Sequence, residues 1–244
     1  AGMAGTGAGG EFPKFTALRR NGQSTPHVIV KFSGAGKSAA ETRWADLLVC
    51  EHLALECAAI LPGAASARTR VVQHAGRVFL EAERFDRVDL DGRLPVCTLD
   101  ALNAAFLGDS STDWTRLASR LHDMGLADAD TVRAVDRLWW FGHLIGNSDM
   151  HLCNLSFRIS PTLRLAPAYD MLPMMYAPLP GGEVPPRAFN PRLPTPPQRD
   201  VWQVACAAAL EFWRAASTDA RISPTSRDGC AANLRQLTAI AAHV

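Results

Sequence analysis

The apolar positions change period along the chain. From His27 to Phe32 (HVIVKF) a short run rich in β-branched residues predicts a buried strand. Ser38 and Glu41 have capping-box spacing, so a helix is expected from about Ala39 to Ile60, stopped by Leu61-Pro62-Gly63. Thr69–Gln73 and Arg77–Phe85 alternate as strands, with His74-Ala75-Gly76 as a hairpin connection. Asp89–Arg93 reads as a turn. Beyond it the period becomes helical, over about Leu99–Leu107, Asp113–Met124 and Asp130–Ile145. Leu155–Ile159 and Leu163–Ala166 form a second short hairpin around Ser160-Pro161. Residues 173–199 hold nine prolines and no periodicity, which predicts a long surface loop and, by default, a solvated connector. Helices over about 200–217 and 227–242 close the chain, and no internal repeat is present. The fold class is therefore α+β. A small β-containing portion (residues 1–87) precedes a mostly helical one (88–244), and Arg84-Phe85-Asp86-Arg87 is the single expected link. Clefts between two such parts are common ligand sites.

Composition narrows the class. In 244 residues, 48% are hydrophobic and 20% charged, which fits a folded chain with a sizeable core. The net charge of +1 gives no basic field for nucleic acid. No apolar run reaches membrane-spanning length and no signal peptide opens the chain. Six scattered cysteines without a C-x-x-C pair suggest reduced cytoplasmic thiols. Residue 1 is Ala rather than Met, so a processed or truncated product is expected. Among 25 basic residues only Lys14, Lys31 and Lys37 are lysines. A lysine retained among arginines hints at a need for a compact ammonium.

The stretch with the most chemistry is Gly146-Asn147-Ser148-Asp149-Met150-His151-Leu152-Cys153-Asn154, between a predicted helix and a strand. Asp149 and Asn154 have the spacing D-x-x-x-x-N, and Asp170 follows the hairpin. Phosphoryl transfer of the kinase type uses these groups in this order: a base for the acceptor hydroxyl, then two oxygen ligands for Mg²⁺. A helix-capping Asp and two turn residues are the bland alternative. Upstream, Lys31 ends a strand, Thr6–Lys14 is Gly-rich enough for backbone amides to approach phosphates, and Glu51 could pair with Lys31, with Glu41, Glu56 or no residue at all as rivals. Gly34-Ala35-Gly36-Lys37-Ser38 looks like the end of a Walker A loop, but the first Gly of that motif falls on Lys31. A metal-hydrolase set of Asp149, His151, Cys153 and Asp170 lacks closely spaced histidine ligands. Trp139-Trp140-Phe141, Met171, Met174, Met175, His122 and His143 read as structural.

Four separated motifs now agree. GNSDMHLCNLSF followed by LAPAYDML resembles the signature of the HipA-like serine/threonine kinases, the toxin components of bacterial type II toxin–antitoxin pairs. AGGEFPKFTAL resembles that family's Gly-rich loop, HVIVKF its lysine strand and EAERFDR its hinge. AYDMLPMMYAP is closer to the single-gene relatives. The resemblance implies a protein-kinase-like two-lobe fold using ATP and Mg²⁺. Asp149 is then the catalytic base, Asn154 and Asp170 hold the metal, His151 lies near the phosphates and Lys31 contacts the α/β-phosphates. Ala8, Gly9, Gly10 and Lys14 cover the phosphates, Glu83 and Phe85 meet the adenine, and Asp86 reaches the ribose. Thr6 stands near the place of a regulatory phosphorylated serine.

The implied partners are a protein with a Ser or Thr acceptor and a helix-turn-helix antitoxin, in the cytoplasm. Two departures weaken activity: Cys153 replaces a common lysine, and the segment that precedes the Gly-rich loop in the family is not seen ahead of residue 6. A module that binds nucleotide or antitoxin without turnover, and a small-molecule kinase with the same triad, are the alternative expectations.

Overall fold

The computed structural model describes residues 13–20 and 25–244. Strands β1 (Lys14–Leu18), β2 (His27–Phe32), β3 (Thr69–His74) and β4 (Arg77–Glu83) form an antiparallel sheet in the order β1-β2-β4-β3. The β3–β4 hairpin turns at Ala75 and Gly76, both at positive φ (48° and 74°), the twist a two-residue hairpin requires. β1 departs from the sequence expectation. Lys14 opens a strand rather than closing a loop, and it lies opposite Lys31 in the ladder.

Helix α1 (Ala39–Ala58) packs on this sheet. Ser38 caps it, and the Glu41 carboxylate returns to the Ser38 N–H and hydroxyl, the predicted capping box. Next come a ribbon of β5 (Arg87–Val88) and β6 (Gly92–Arg93), then β7 (Val96–Thr98). Helices α2 (Leu99–Leu102, running into a wider π turn over Asn103–Leu107), α3 (Trp114–Asp123) and α4 (Ala129–Leu144) follow. Strands β8 (Ser156–Arg158) and β9 (Arg164–Leu165) are the predicted second hairpin, and β7, which the sequence pattern does not assign, pairs with β8 to complete a three-stranded sheet. α5 (Arg199–Thr218) and α6 (Pro224–Ala241) close the fold. α6 begins three residues before its expected start because Pro224, with its fixed φ, serves as a first helical residue.

The core is continuous between the two parts. Leu47, Leu48 and Leu55 of α1 are buried with Leu80 of β4 and with Trp202, Phe212 and Trp213 of α5. Trp213 donates to the Leu144 carbonyl at 3.0 Å. Asp46, buried on α1, accepts from Ser223 N (2.8 Å), Ser223 Oγ (2.6 Å) and Ser226 Oγ at the start of α6. Across the junction Ala67 N–H donates to the Ala168 carbonyl (2.9 Å), and Ala168 N–H donates to the Ala65 carbonyl (2.8 Å). The Arg84–Arg87 link is therefore one of several joins, not the single one expected from sequence.

Candidate active site

β2 buries Val28 and Val30 in alternation and then, out of that alternation, Lys31 near its end. Its Nζ donates to Glu51 Oε1 and Oε2 (2.6 and 2.8 Å) and to Asp170 Oδ1. Of the three glutamates the sequence left open, α1 thus presents Glu51. Burial opposes the Lys31 charge, but the Glu51 and Asp170 carboxylates outweigh it and hold the ammonium above its ordinary range. Burial also works against Asp170, yet Lys31 keeps it below the usual carboxylate range. Burial pushes Glu51 up. Lys14, across the ladder, is pushed down by burial, with Asp170 and Glu51 close enough to counteract that in part.

The loop after α4 faces this cluster. Gly146 (φ 74°) starts it; a Cβ there would meet the Met175 sulfur at 2.7 Å. Asn147, buried, accepts from the Asp149 N–H at 3.0 Å and donates to the Asp170 carbonyl at 3.4 Å. It thereby couples the loop to the segment carrying Asp170. Asn154 donates through Nδ2 to the Asp149 carbonyl at 2.7 Å, which turns its Oδ1 the other way. Tyr169 donates to the Cys153 carbonyl and shares a bond with Ser156 Oγ (both 2.6 Å), and its ring lies 5.8 Å from that of Phe85. Burial pushes its phenol up to about 12. Asp149 and His151 remain about half exposed, their side chains 3.8 Å apart. Asp170 sits at φ 54°, a left-handed conformation that Asp tolerates better than most residues. Sequence reasoning missed Asn147 and Tyr169; the one signal available was an Asn two residues before Asp149, the spacing of an Asx turn.

Asn154 and Asp170 supply two oxygen ligands, and no group of three His, Cys, Asp or Glu side chains forms a metal cage among the described residues. That donor set fits Mg²⁺ completed by phosphate oxygens and water, not a closed protein site. The metal-hydrolase set of Asp149, His151, Cys153 and Asp170 is not assembled.

At the hinge, the N–H groups of Glu83 and Arg84 bond to Arg68 O (2.8 Å) and His27 O (2.9 Å), and the Glu83 carboxylate pairs with Arg19. These two amides are engaged inside the sheet, so Glu83 can offer adenine its carbonyl but not its amide. Asp86 is held by Arg84 and Arg87 (both 2.6 Å), whose guanidiniums overcome its burial and depress its pKa; reaching a ribose requires it to leave them. The Walker-like loop is filled from within: Glu41 accepts from Gly36 N at 3.1 Å and from Ser38 N at 3.3 Å, the amides a phosphate would need. Ala8, Gly9, Gly10 and Thr6 lie outside the described residues.

A small antiparallel sheet whose Lys31 pairs with a glutamate of the helix packed on it, set against a helical body carrying an Asp/Asn loop and a later Asp, defines a kinase-like fold, and the chain belongs to the HipA-like C-terminal domain family, which it matches over residues 6–236. It is 38% identical over 226 residues to Toxin YjjJ of Escherichia coli (strain K12), covering 92% of this chain and 51% of that protein. The chain thus spans about half the length of this curated relative. Two solved structures share the fold at low identity. One is HipA of Shewanella oneidensis MR-1, solved with HipB and operator DNA (TM-score 0.58, 18% identity, 99% of this chain and 65% of that one). The other is the Helicobacter pylori proinflammatory kinase CtkA (TM-score 0.62, 12% identity, 95% and 89%).

Proposed function

We propose that the chain is a HipA-type serine/threonine protein kinase that transfers the γ-phosphate of Mg-ATP to a protein hydroxyl. The observation that carries this reading is the convergence on Lys31 of Glu51 and Asp170, from elements far apart in sequence, beside a loop that leaves Asp149 exposed. Residues 1–87 act as the nucleotide-binding part and 88–244 as the catalytic part. Lys31, oriented by Glu51, draws the α/β-phosphates. Lys14 lies across the ladder in position to add a second cation. Asn154 and Asp170 would hold Mg²⁺, which would supply neutralisation of the phosphate charge as it develops.

Asp149 orients the acceptor hydroxyl and takes its proton. A new O–P bond forms as the β,γ-bridging bond breaks, and ADP leaves with that electron pair. His151, 3.8 Å from Asp149, stands by the same exposed face. Asn147 and Tyr169 fix the loop through backbone atoms, so little reorganisation is needed at the moment of transfer.

The family and fold also support a helix-turn-helix antitoxin as partner and a cytoplasmic setting. Among the described residues, no helix is long and apolar enough to cross a membrane. A second reading, nucleotide binding without turnover, is favoured by one contact: Asp170 already occupies Lys31 and has to release it before both serve a nucleotide.

Intact mass after incubation with Mg-ATP, with and without candidate acceptor proteins, tests the proposal. A gain of one phosphate on chain or acceptor is expected, lowered about 10²–10⁴-fold in rate by Asp149→Asn, the usual contribution of a positioned base. Undiminished transfer by that variant removes Asp149 from its role. A nucleotide-dependent rise in melting temperature without any transfer selects the second reading.

A further inference from the structure

A cleft of about 650 Å³ borders the loop that carries Asp149. It is lined by Ser148, Asp149 and His151 of that loop, by Trp139 and His143 of α4, and by Asn190 and Arg192 of the Pro-rich segment; neither Lys31 nor Asp170 lines it. The Pro-rich segment is largely exposed, as its composition predicts, but it is anchored to the helical body at fixed points. Phe189 is buried against Trp213, with ring centroids 5.3 Å apart, and its carbonyl accepts from Gln236 Nε2 at 2.7 Å. Three residues on, the Arg192 carbonyl accepts from the buried indole of Trp202 at 3.0 Å. The backbone is thus pinned on both sides of residues 190–191, and the exposed Arg192 side chain is presented from a fixed point.

Charge decides what such a cleft can hold. Arg192 makes no ion pair or side-chain hydrogen bond among the described residues, although most other arginines near carboxylates here do. The acids in the cleft are Asp113 and Asp149. Asp113 is committed to capping α3, one oxygen accepting from Thr115 N, Thr115 Oγ1 and Arg116 N. Asp149 is the proposed base. His143 leaves its buried Nε2 without a partner, a second group in the wall lacking its complement. An unpaired guanidinium on a pinned backbone favours a planar or tetrahedral oxyanion that accepts two parallel N–H bonds.

We propose that Arg192 reads an anionic group, a carboxylate or a phosphate, on the polypeptide acceptor beside its Ser or Thr hydroxyl. This rests on the kinase reading and names the acceptor class that reading leaves open: chains with an acidic or already phosphorylated residue close to the target hydroxyl.

The test uses the full chain, Mg-ATP and one Thr-containing peptide made in three forms, with Glu, phosphoserine or Gln beside the acceptor. Both phosphate transfer and fluorescence anisotropy of labelled peptide are measured. Wild type should prefer the Glu or phosphoserine form over the Gln form by about tenfold in kcat/KM. The larger of the two gains identifies carboxylate or phosphate as the ligand. Arg192→Gln should bring the preference close to one, while Arg192→Lys, a point charge without the fork, keeps part of it.

The melting temperature should hold in both variants, because only the Arg192 backbone carbonyl takes part in packing. An equal preference in wild type and Arg192→Gln overturns the proposal. So does a raised KM for ATP with the peptide preference intact, which assigns Arg192 to the nucleotide. If no peptide and no site on the chain gains phosphate, the kinase reading fails by itself. A Glu-over-Gln preference in binding that Arg192→Gln abolishes then still upholds the anion site, and its absence overturns that too.

Discussion

Lys31 and Glu51 are both almost fully buried, and each is the other's reason for being there. Removing one partner of a buried pair leaves an uncompensated charge, which costs about 3–5 kcal/mol; replacing both by apolar groups of similar volume is often neutral. Lys31→Met should therefore lower the urea midpoint strongly. Lys31→Met combined with Glu51→Leu should restore most of it, while nucleotide binding stays lost in both. If the single variant is as stable as wild type, the pair is not held as described.

These residues also show what was legible in the chain. Lys31, Asp149, Asn154 and Asp170 stood out because their side chains carry the chemistry and their spacing is characteristic. Glu51 could only be one of three candidates, since the pairing depends on which face α1 turns to the sheet. Asn147 and Tyr169 act on backbone atoms of residues up to 23 positions away, Asp170 O and Cys153 O, and no local pattern encodes that. Asp86 was read as open to a ribose because its two arginine partners, although adjacent, give no sign in sequence of folding back onto it.

At the level of elements, capping chemistry and long periodic runs were readable, and short strands were not. α1 announced itself through Ser38 and Glu41. β1 follows a Gly-rich run and β7 has three residues, and both exist because a distant strand offers them a ladder. α4 carries a consequence of packing that its amphipathic pattern conceals. It buries part of two titratable groups, with Asp136 Oδ1 and His143 Nε2 unpartnered among the described residues. Burial, reinforced by Asp113, pushes Asp136 up to about 6. Burial, reinforced by Arg192, pushes His143 down to about 4.

The signs oppose each other. Between its ordinary value and about 6, Asp136 binds more proton in the folded state, so its contribution to stability falls as pH rises. Between about 4 and its ordinary value, His143 binds more proton in the unfolded state, so its contribution rises with pH. Asp136→Asn should gain in urea midpoint relative to wild type as pH goes from 4 to 6, and His143→Gln should gain relative to wild type as pH goes from 6.5 to 4. Parallel profiles for either variant would show that its side chain is solvated rather than buried.

Across the whole molecule, the change from strand to helix periodicity gave the two-part plan, but not how firmly the parts are joined. The join shows in α1, where Asp46 to Glu51, both acids included, are buried without interruption, so that stretch is covered on every side. α1 is accordingly shared by the sheet and by α5, and the fold does not hang on its hinge. On the proposed kinase reading, Asp170 is the contact a nucleotide would have to change. It ties the helical body to Lys31 of the sheet, and a phosphate competes with it for the same ammonium. Without metal, wild type should therefore bind ATP poorly, because two carboxylates hold Lys31 and repel the phosphates. Mg²⁺ should tighten binding if Asp170 is its ligand, because Asp170 would then no longer hold Lys31. Asp170→Asn removes both the competitor and the ligand. Metal-free ATP should then bind this variant about tenfold more tightly than wild type, a difference of about 1.4 kcal/mol, and the gain on adding Mg²⁺ should shrink. Titration calorimetry with and without Mg²⁺ on the two proteins decides it, since an undiminished Mg²⁺ gain in Asp170→Asn places the metal elsewhere and leaves Asp170 as a tether alone.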